Sequence, residues 1–294
     1  MRLHLVDGTY ELFRANFSPR PGHSAPGGQD VKATVGVMSS LLMLLHEPAE
    51  SVTHIAVAFD NPIRSFRNAL FAGYKSEEGV PPELLAQFDL VEEAVRALGV
   101  TAWSMKEHEA DDALSTAAAR FAGQVEQVRV MTPDKDLGQC VRGKHVVQVD
   151  RRQEKEFDEE GVRAKLGVLP ASVPDLLALV GDDADGIPGL PGFGEKGASA
   201  LLGAYGHLEA IPDDASAWTV RPRGAEKLAA TLREHREDAL LYRKLATLVT
   251  DAPLPGTKSL ADLEWKGVPR ATFEALCDRL GLTTLKRRPK RWVE

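Results

Sequence analysis

Three short apolar runs in this chain each lead into aspartate, and that recurrence constrains the fold more than any other feature. Leu3-His4-Leu5-Val6 runs into Asp7, His54-Ile55-Ala56-Val57-Ala58-Phe59 into Asp60, and Val128-Arg129-Val130-Met131 into Thr132-Pro133-Asp134. Short apolar runs bounded by turn residues read as buried strands. A fourth strand, His145-Val146-Val147-Gln148-Val149, follows. Between them lie helical patterns at Val35 to Leu45, Phe66 to Tyr74, and onward from Glu109. Another opens at Pro82 and carries Leu85, Phe88, Val91, Val95 and Leu98 on one face as far as Gly99. Strands alternating with helices build an α/β fold, a mostly parallel central sheet flanked by helices. The carboxyl ends of parallel strands share one edge of such a sheet, and ligands bind there. The strand-end aspartates are therefore expected to converge in space.

That edge changes the meaning of Glu109-Ala110-Asp111-Asp112. Acidic residues in a first helical turn suit the helix dipole, so taken alone the stretch reads as a solvated helix start. Beside Asp7, Asp60 and Asp134 it reads as part of a cluster. Gly181-Asp182-Asp183-Ala184-Asp185 adds a further pair, Asp182 and Asp185, spaced to point the same way. With Asp136 the set is Asp7, Asp60, Glu109, Asp111, Asp112, Asp134, Asp136, Asp182 and Asp185. Carboxylates gathered so closely repel one another unless a divalent cation compensates them. All-oxygen donors suit Mg²⁺ or Mn²⁺. Zinc is disfavoured, because the eight histidines are scattered and neither Cys140 nor Cys277 has motif spacing. The set exceeds what one magnesium ion needs, so two ions are the economical reading. Two-metal sites hydrolyse phosphodiesters.

At 294 residues the chain fits an α/β domain with a smaller helical region. No apolar run approaches the roughly 18 residues of a membrane span, and the first residues lack the apolar core of a signal peptide. Two cysteines without partner spacing point to a reducing, cytoplasmic setting. The formal net charge of −7 argues against a general nucleic-acid binder. That sum conceals Lys286, Arg287, Arg288, Lys290 and Arg291, a basic run that reads equally as a solvated, mobile tail. Residues 151–158 read as a solvated connector. From Gly161 the pattern turns helical, at 161–166, 174–180, 197–204, 224–231 and 236–249. The expected division is 1–165 for the α/β part, 166–255 for a helical region, and 256–294 for an extension ending in the basic tail.

The glycine-rich run Ile187-Pro188-Gly189-Leu190-Pro191-Gly192-Phe193-Gly194-Glu195-Lys196-Gly197 formally matches a dinucleotide fingerprint through Gly192, Gly194 and Gly197. That motif requires a buried strand directly before it, and none is present. A helix–hairpin–helix fits better. Gly189, Gly192 and Gly194 would expose backbone amides beside a helix N-terminus, and Lys196 would add a phosphate contact. A plain turn between helices is the alternative.

Together these segments resemble the 5′ nuclease family, comprising the 5′→3′ exonuclease domain of bacterial DNA polymerase I and the flap endonucleases. The matching residues are Leu5-Val6-Asp7-Gly8 with Arg14, Phe59-Asp60 with Ser65-Phe66-Arg67, Gly73-Tyr74-Lys75, Glu109-Ala110-Asp111-Asp112, Thr132-Pro133-Asp134-Lys135-Asp136, and Gly181 to Asp185 leading into the hairpin. The resemblance covers about residues 1–250. It implies a PIN-like fold with a helical arch at 64–90 and a helix–hairpin–helix region. It implies that Asp7, Asp60, Glu109 and Asp111 hold a first Mg²⁺ or Mn²⁺, with Asp112 close by. Asp134, Asp136, Asp182 and Asp185 would hold a second. Arg14, Arg67 and Lys75 would act at the scissile phosphate, with Tyr74 at the nucleotides beside it. The hairpin at 189–194 would bind duplex DNA, in the family often with K⁺.

The implied protein is a monomeric, stand-alone nuclease acting on DNA with a 5′ flap, nick or free 5′ end. Two departures remove positive charge: Ser76-Glu77-Glu78 follows Lys75 where the family carries a basic residue, and Pro191 occupies a commonly basic hairpin position. They keep open a branched-DNA-binding protein that cleaves poorly. An RNA-directed nuclease of the same fold is a further alternative.

Overall fold

The computed structural model describes all 294 residues. In chain order the elements begin β1 (Arg2–Asp7), α1 (Gly8–Asn16), α2 (Lys32–Leu45), β2 (His54–Asp60), α3 (Arg67–Leu70), α4 (Pro82–Leu85), α5 (Phe88–Ala97), β3 (Thr101–Met105) and α6 (Ala110–Phe121). They continue with β4 (Gln127–Met131), β5 (Val146–Asp150), β6 (Lys155–Phe157), α7 (Glu159–Leu166), α8 (Val173–Val180), α9 (Glu195–Tyr205), α10 (Ala225–Glu234) and α11 (Arg236–Ala246). Last come β7 (Val268–Pro269), α12 (Arg270–Leu280) and β8 (Trp292–Val293). Two compact units interleave along the sequence. Met1–Arg64, Glu77–Met131 and Thr250–Glu294 form one, and Ser65–Ser76 with Thr132–Val249 the other. No helix is long and apolar enough to cross a membrane.

In the first unit four parallel strands lie in the order β3-β2-β1-β4. Consecutive residues of β1 and β2 are buried, Leu3 to Val6 and Ile55 to Phe59, so both faces of the sheet are covered. Helix α6 lies along all four strands, while α1 packs on α2 and α2 on α5. The chain leaves β1 toward β2 on one side and reaches β4 on the other. This reversal makes β1 the topological switch point, where a crevice opens at the carboxyl ends of the strands. Asp7 ends β1 there.

Residues 250–294 complete this unit. The fully buried Trp103 donates from Nε1 to Thr257 Oγ1 at 2.9 Å, and the Ala252 amide donates to Thr116 Oγ1 at 3.0 Å. Strands β7 and β8 pair in parallel. The basic run is pinned rather than loose: Lys286 Nζ lies 2.7 Å from Asp278, the Lys290 amide 3.1 Å from His46 Nε2, and the Arg291 guanidinium 5.5 Å from the Trp265 ring centroid.

Four local expectations need correction. The helix opening at Pro82 is interrupted at Ala86-Gln87, giving α4 and α5. The buried Gln87 side chain there accepts from the Thr34 amide at 3.0 Å and hydroxyl at 3.1 Å. Strand β3 and helix α12 were not expected from the sequence pattern. The 151–158 connector contains β6, which pairs antiparallel with β5.

A buried polar cluster braces the N-terminal half of β1. His4 Nε2 and Glu50 Oε2 are 3.0 Å apart, and Arg129 Nε lies 2.8 Å from Glu50. The His4 hydrogen bond, aided by the Arg129 charge and opposed by burial, holds the Glu50 carboxyl down at about 2. A carboxylate with a lower pKa folded than unfolded stabilises the fold above its ordinary value and ceases to do so as pH falls through the folded one. Glu50 should therefore contribute fully above pH 4.5 and lose its contribution toward pH 2. Melting curves across that window should show a shallower acid loss for Glu50→Gln than for the wild-type chain. Equal slopes would remove Glu50 from the acid response.

The second unit is helical around a core including Val173, Leu177, Phe193, Leu201, Leu228, Leu232 and Leu245. Helix α8 packs against both α9 and α11. Arg67 is buried, 1 % exposed, with its guanidinium donating to the carbonyls of Leu245 at 2.7 Å and Thr247 at 3.0 Å. It thereby ties the C-terminal end of α11, where carbonyls lack helical partners, to the 65–76 segment.

Candidate metal centre and nucleic-acid surface

In the first unit, helix starts hold the acidic side chains at the sheet edge. Asp7 caps α1, its carboxylate accepting from the Tyr10 amide at 2.8 Å. Asp60 Oδ1 accepts from the Ala110 amide at 2.7 Å, which brings the end of β2 to the start of α6. The Thr9 hydroxyl accepts from the Asp60 amide at 2.8 Å, tying β2 to α1. Glu109 and Asp112 form a capping box, with Asp112 Oδ2 accepting from the Glu109 amide at 3.0 Å. Asp112 is fully buried in that role, whereas Asp111 is partly exposed on the same turn. Arg14 is directed to Glu11 and to Ser40 Oγ at 3.0 Å, and about a third of its side chain is exposed.

The second unit holds Asp134, Asp136, Asp182 and Asp185. Asp134 Oδ1 accepts from the Asp136 amide at 3.0 Å, which turns the chain directly after Pro133. Asp182 Oδ1 accepts from the Ala184 amide at 3.0 Å, and paired backbone bonds between Asp182 and Ile187, each 2.8 Å, close the acidic loop. Two lysines meet this loop. Lys75 Nζ lies 3.0 Å from Asp185 Oδ1, and Lys135 Nζ lies 3.0 Å from Asp182 Oδ2. The buried Tyr74 donates its hydroxyl to Asp185 Oδ2 at 3.3 Å. Gly186 has φ +72°, and a Cβ there would strike the Gly73 carbonyl oxygen, so the loop fits closely against 73–75.

Asp136 lacks such an ion pair, and the nearby Lys135 charge offsets its surroundings only in part. It is buried, 3 % exposed, and its Oδ1 has no hydrogen-bond partner. Burial first, then the charges of Asp134, Asp185 and Asp182, push its pKa well above the carboxylate range. No three His, Cys, Asp or Glu side chains converge as a ready-made metal cage, and the mutual repulsion of like charges opposes such convergence. The donor set nevertheless fits a hard divalent cation: all its atoms are carboxylate oxygens, and one is buried without a partner.

Helices α8 and α9 flank the glycine hairpin. The Leu190 amide donates to Leu179 O at 2.8 Å, and Gly189 and Gly192 take φ of +69° and +84°. Gly194 caps α9, and Gly194, Glu195 and Lys196 are exposed there. An exposed helix N-terminus with free space around its capping glycine admits a phosphate closely. Residues 64–90 hold the four-residue helices α3 and α4 and the first residues of α5, Phe88 onward. Outside these helices Glu77 pairs with Arg64, 3.2 Å from Nε, so the acidic departure in this segment neutralises one of its own basic residues.

Thr9 and Lys135 were not singled out from the sequence. Thr9 carried no signal. Lys135 did, since a lysine between Asp134 and Asp136 must sit within reach of both charges.

Comparison with known proteins places these features among nucleases. Residues 2–167 match the model of the 5′-3′ exonuclease N-terminal resolvase-like domain, and residues 168–271 that of the 5′-3′ exonuclease C-terminal SAM fold. The chain is 37% identical over 284 residues to DNA polymerase I of Bacillus caldotenax, covering 95% of this chain and 31% of that protein. To DNA polymerase I of Pseudomonas aeruginosa it is 40% identical over 255 residues, covering 86% and 28%. The chain thus spans about a third of these relatives' length. Among solved structures, zinc-bound T5 5′-exonuclease superposes with a TM-score of 0.64 at 17% identity, covering 84% of this chain and 89% of that one. The catalytic core of Rad2 in complex with DNA superposes with a TM-score of 0.61 at 14% identity, covering 95% and 88%. These likenesses establish the shared fold.

Proposed function

Because the chain belongs to the 5′-3′ exonuclease family, we propose that it is a divalent-metal-dependent, structure-specific 5′ nuclease that hydrolyses DNA phosphodiester bonds. The observation that carries the metal dependence is Asp136, a buried carboxyl with an orphaned oxygen among three further aspartates. Asp134, Asp136, Asp182 and Asp185 would hold one Mg²⁺ or Mn²⁺, and Asp7, Asp60, Glu109 and Asp111 another. Bound cations would supply an activated water nucleophile and stabilisation of the leaving oxygen.

The chain's own residues bind and orient. The amides at Gly192, Gly194 and the start of α9, with Lys196, grip a duplex phosphate without reading sequence. A potassium ion at the hairpin belongs to the same proposal. Lys75 supplies positive charge at the scissile phosphate, and Tyr74 fixes the Asp185 carboxylate that Lys75 also meets. Asp112 acts through the capping box that aims Glu109, as a positioning residue. Arg14 reaches solvent from the first unit and is the remaining candidate for a phosphate contact there.

The test is cleavage of end-labelled 5′-flap, nicked and single-stranded DNA with Mg²⁺ or Mn²⁺, repeated in excess EDTA. Product from the flap and nicked substrates that disappears in EDTA is expected. Full activity in EDTA overturns the metal dependence. Tight binding of branched DNA without any Mn²⁺-stimulated product would favour a binding protein, the reading to which the Glu77–Arg64 pair lends weight. Faster cleavage when the 5′ strand is RNA would transfer the substrate to RNA.

A further inference from the structure

Lys135 and Lys75 have a relation to the acidic loop that a phosphate-binding role does not require. Each ammonium sits 3.0 Å from a different aspartate of one loop, Lys135 on Asp182 and Lys75 on Asp185. Two of the four carboxylates are thus neutralised from within the chain, and Asp136 is left with a buried oxygen that bonds to nothing. The neutralising charge sums to that of one divalent cation.

We propose that Lys135 is a built-in cation surrogate. Its ammonium holds Asp182 until a divalent cation enters, and loading the site requires the Lys135–Asp182 pair to open. With Lys75 leaving Asp185 in the same step, two single charges depart as one double charge arrives, so the local charge is unchanged. The exchange lets the acidic loop keep its shape without a metal and sets the cation affinity lower than four free carboxylates would give. The Lys135 side chain is 38 % exposed, which gives the ammonium a route into solvent when displaced.

This inference rests on the metal-site reading above, and the experiment separates the two. Mn²⁺ is titrated into metal-stripped wild-type, Lys135→Met, Lys135→Gln and Lys135→Arg proteins, with free Mn²⁺ followed by electron paramagnetic resonance. Melting temperatures are taken with and without saturating Mn²⁺. The Met and Gln variants should bind Mn²⁺ about ten-fold more tightly than wild type, as expected for removing one competing charge at contact distance. They should also melt lower without Mn²⁺ and gain more on adding it. Lys135→Arg, which keeps the charge, should stay within about two-fold of wild type. Gln preserves a donor toward Asp182, so it decides the matter if the Met variant fails to fold. Unchanged or weaker Mn²⁺ binding by the charge-removing variants overturns the surrogate role while leaving the metal site standing. Absence of Mn²⁺ binding in every protein overturns both.

Discussion

An Asp136→Asn variant is expected to cleave a 5′-flap duplex roughly a thousand-fold more slowly, the scale of losing one directed charge in a reacting site. The same variant is expected to melt higher than wild type in EDTA. The pairing of these outcomes follows from the environment of one carboxyl. Asp136 is buried, its Oδ1 is unpartnered, and Asp134, Asp185 and Asp182 crowd it with like charge. In the absence of a cation an ionised carboxyl there opposes folding, and an amide of the same shape removes that opposition. Each kcal/mol recovered should raise the melting temperature by about 2 °C in a chain of this size. The amide is also a poor ligand for a hard cation, so the variant exchanges function for stability. Retained cleavage would remove Asp136 from the reacting site. A lower melting temperature would mean that the carboxyl is held by favourable contacts.

The second large effect is expected from Arg67→Met. The resemblance implies that this residue acts at the scissile phosphate, but its guanidinium donates to the Leu245 and Thr247 carbonyls and is almost wholly buried. Removing two charge-assisted bonds and stranding their acceptors should cost about 3 to 5 kcal/mol of stability. Chemical denaturation measures this as a fall in the midpoint at constant slope. Flap-DNA affinity, measured well below the transition, should change little. A large loss of affinity with unchanged stability would restore the phosphate role. The two measurements thus separate a residue that builds the second unit from one that touches substrate.

Much of the edge where Asp7 and Asp60 sit was legible in the sequence. A buried parallel strand has no polar face, so its end is marked abruptly, and the aspartates stand at those marks. Glu109 was legible as a helix start, but not the division of labour within its turn, where Asp112 caps the Glu109 amide. That depends on a rotamer, which spacing does not determine. Strand β3 was missed because Thr101-Ala102-Trp103-Ser104-Met105 has no long apolar run. Its Trp103 bonds to Thr257, far along the chain. The interruption after α4 depends on Gln87 meeting Thr34, a long-range polar contact with no local signature. Helix α12 is different. Phe273, Leu276, Cys277 and Leu280 lie on one face, and Gly281 closes the helix at φ +70°, so its periodicity was present and unread.

The interleaving of the two units carries a consequence for how the protein is made. The four parallel strands of the first unit lie within the first 131 residues, yet Trp103 and Thr116 hydrogen-bond to Thr257 and Ala252. During synthesis those early residues leave the ribosome long before the segment that seals them. Most of the second unit, Thr132–Val249, is translated in between, and it can reach its fold while the first still exposes an unfinished face. Completion of the sheet-bearing unit is therefore set by the arrival of residues 250–294, the last part of this sequence to be synthesised.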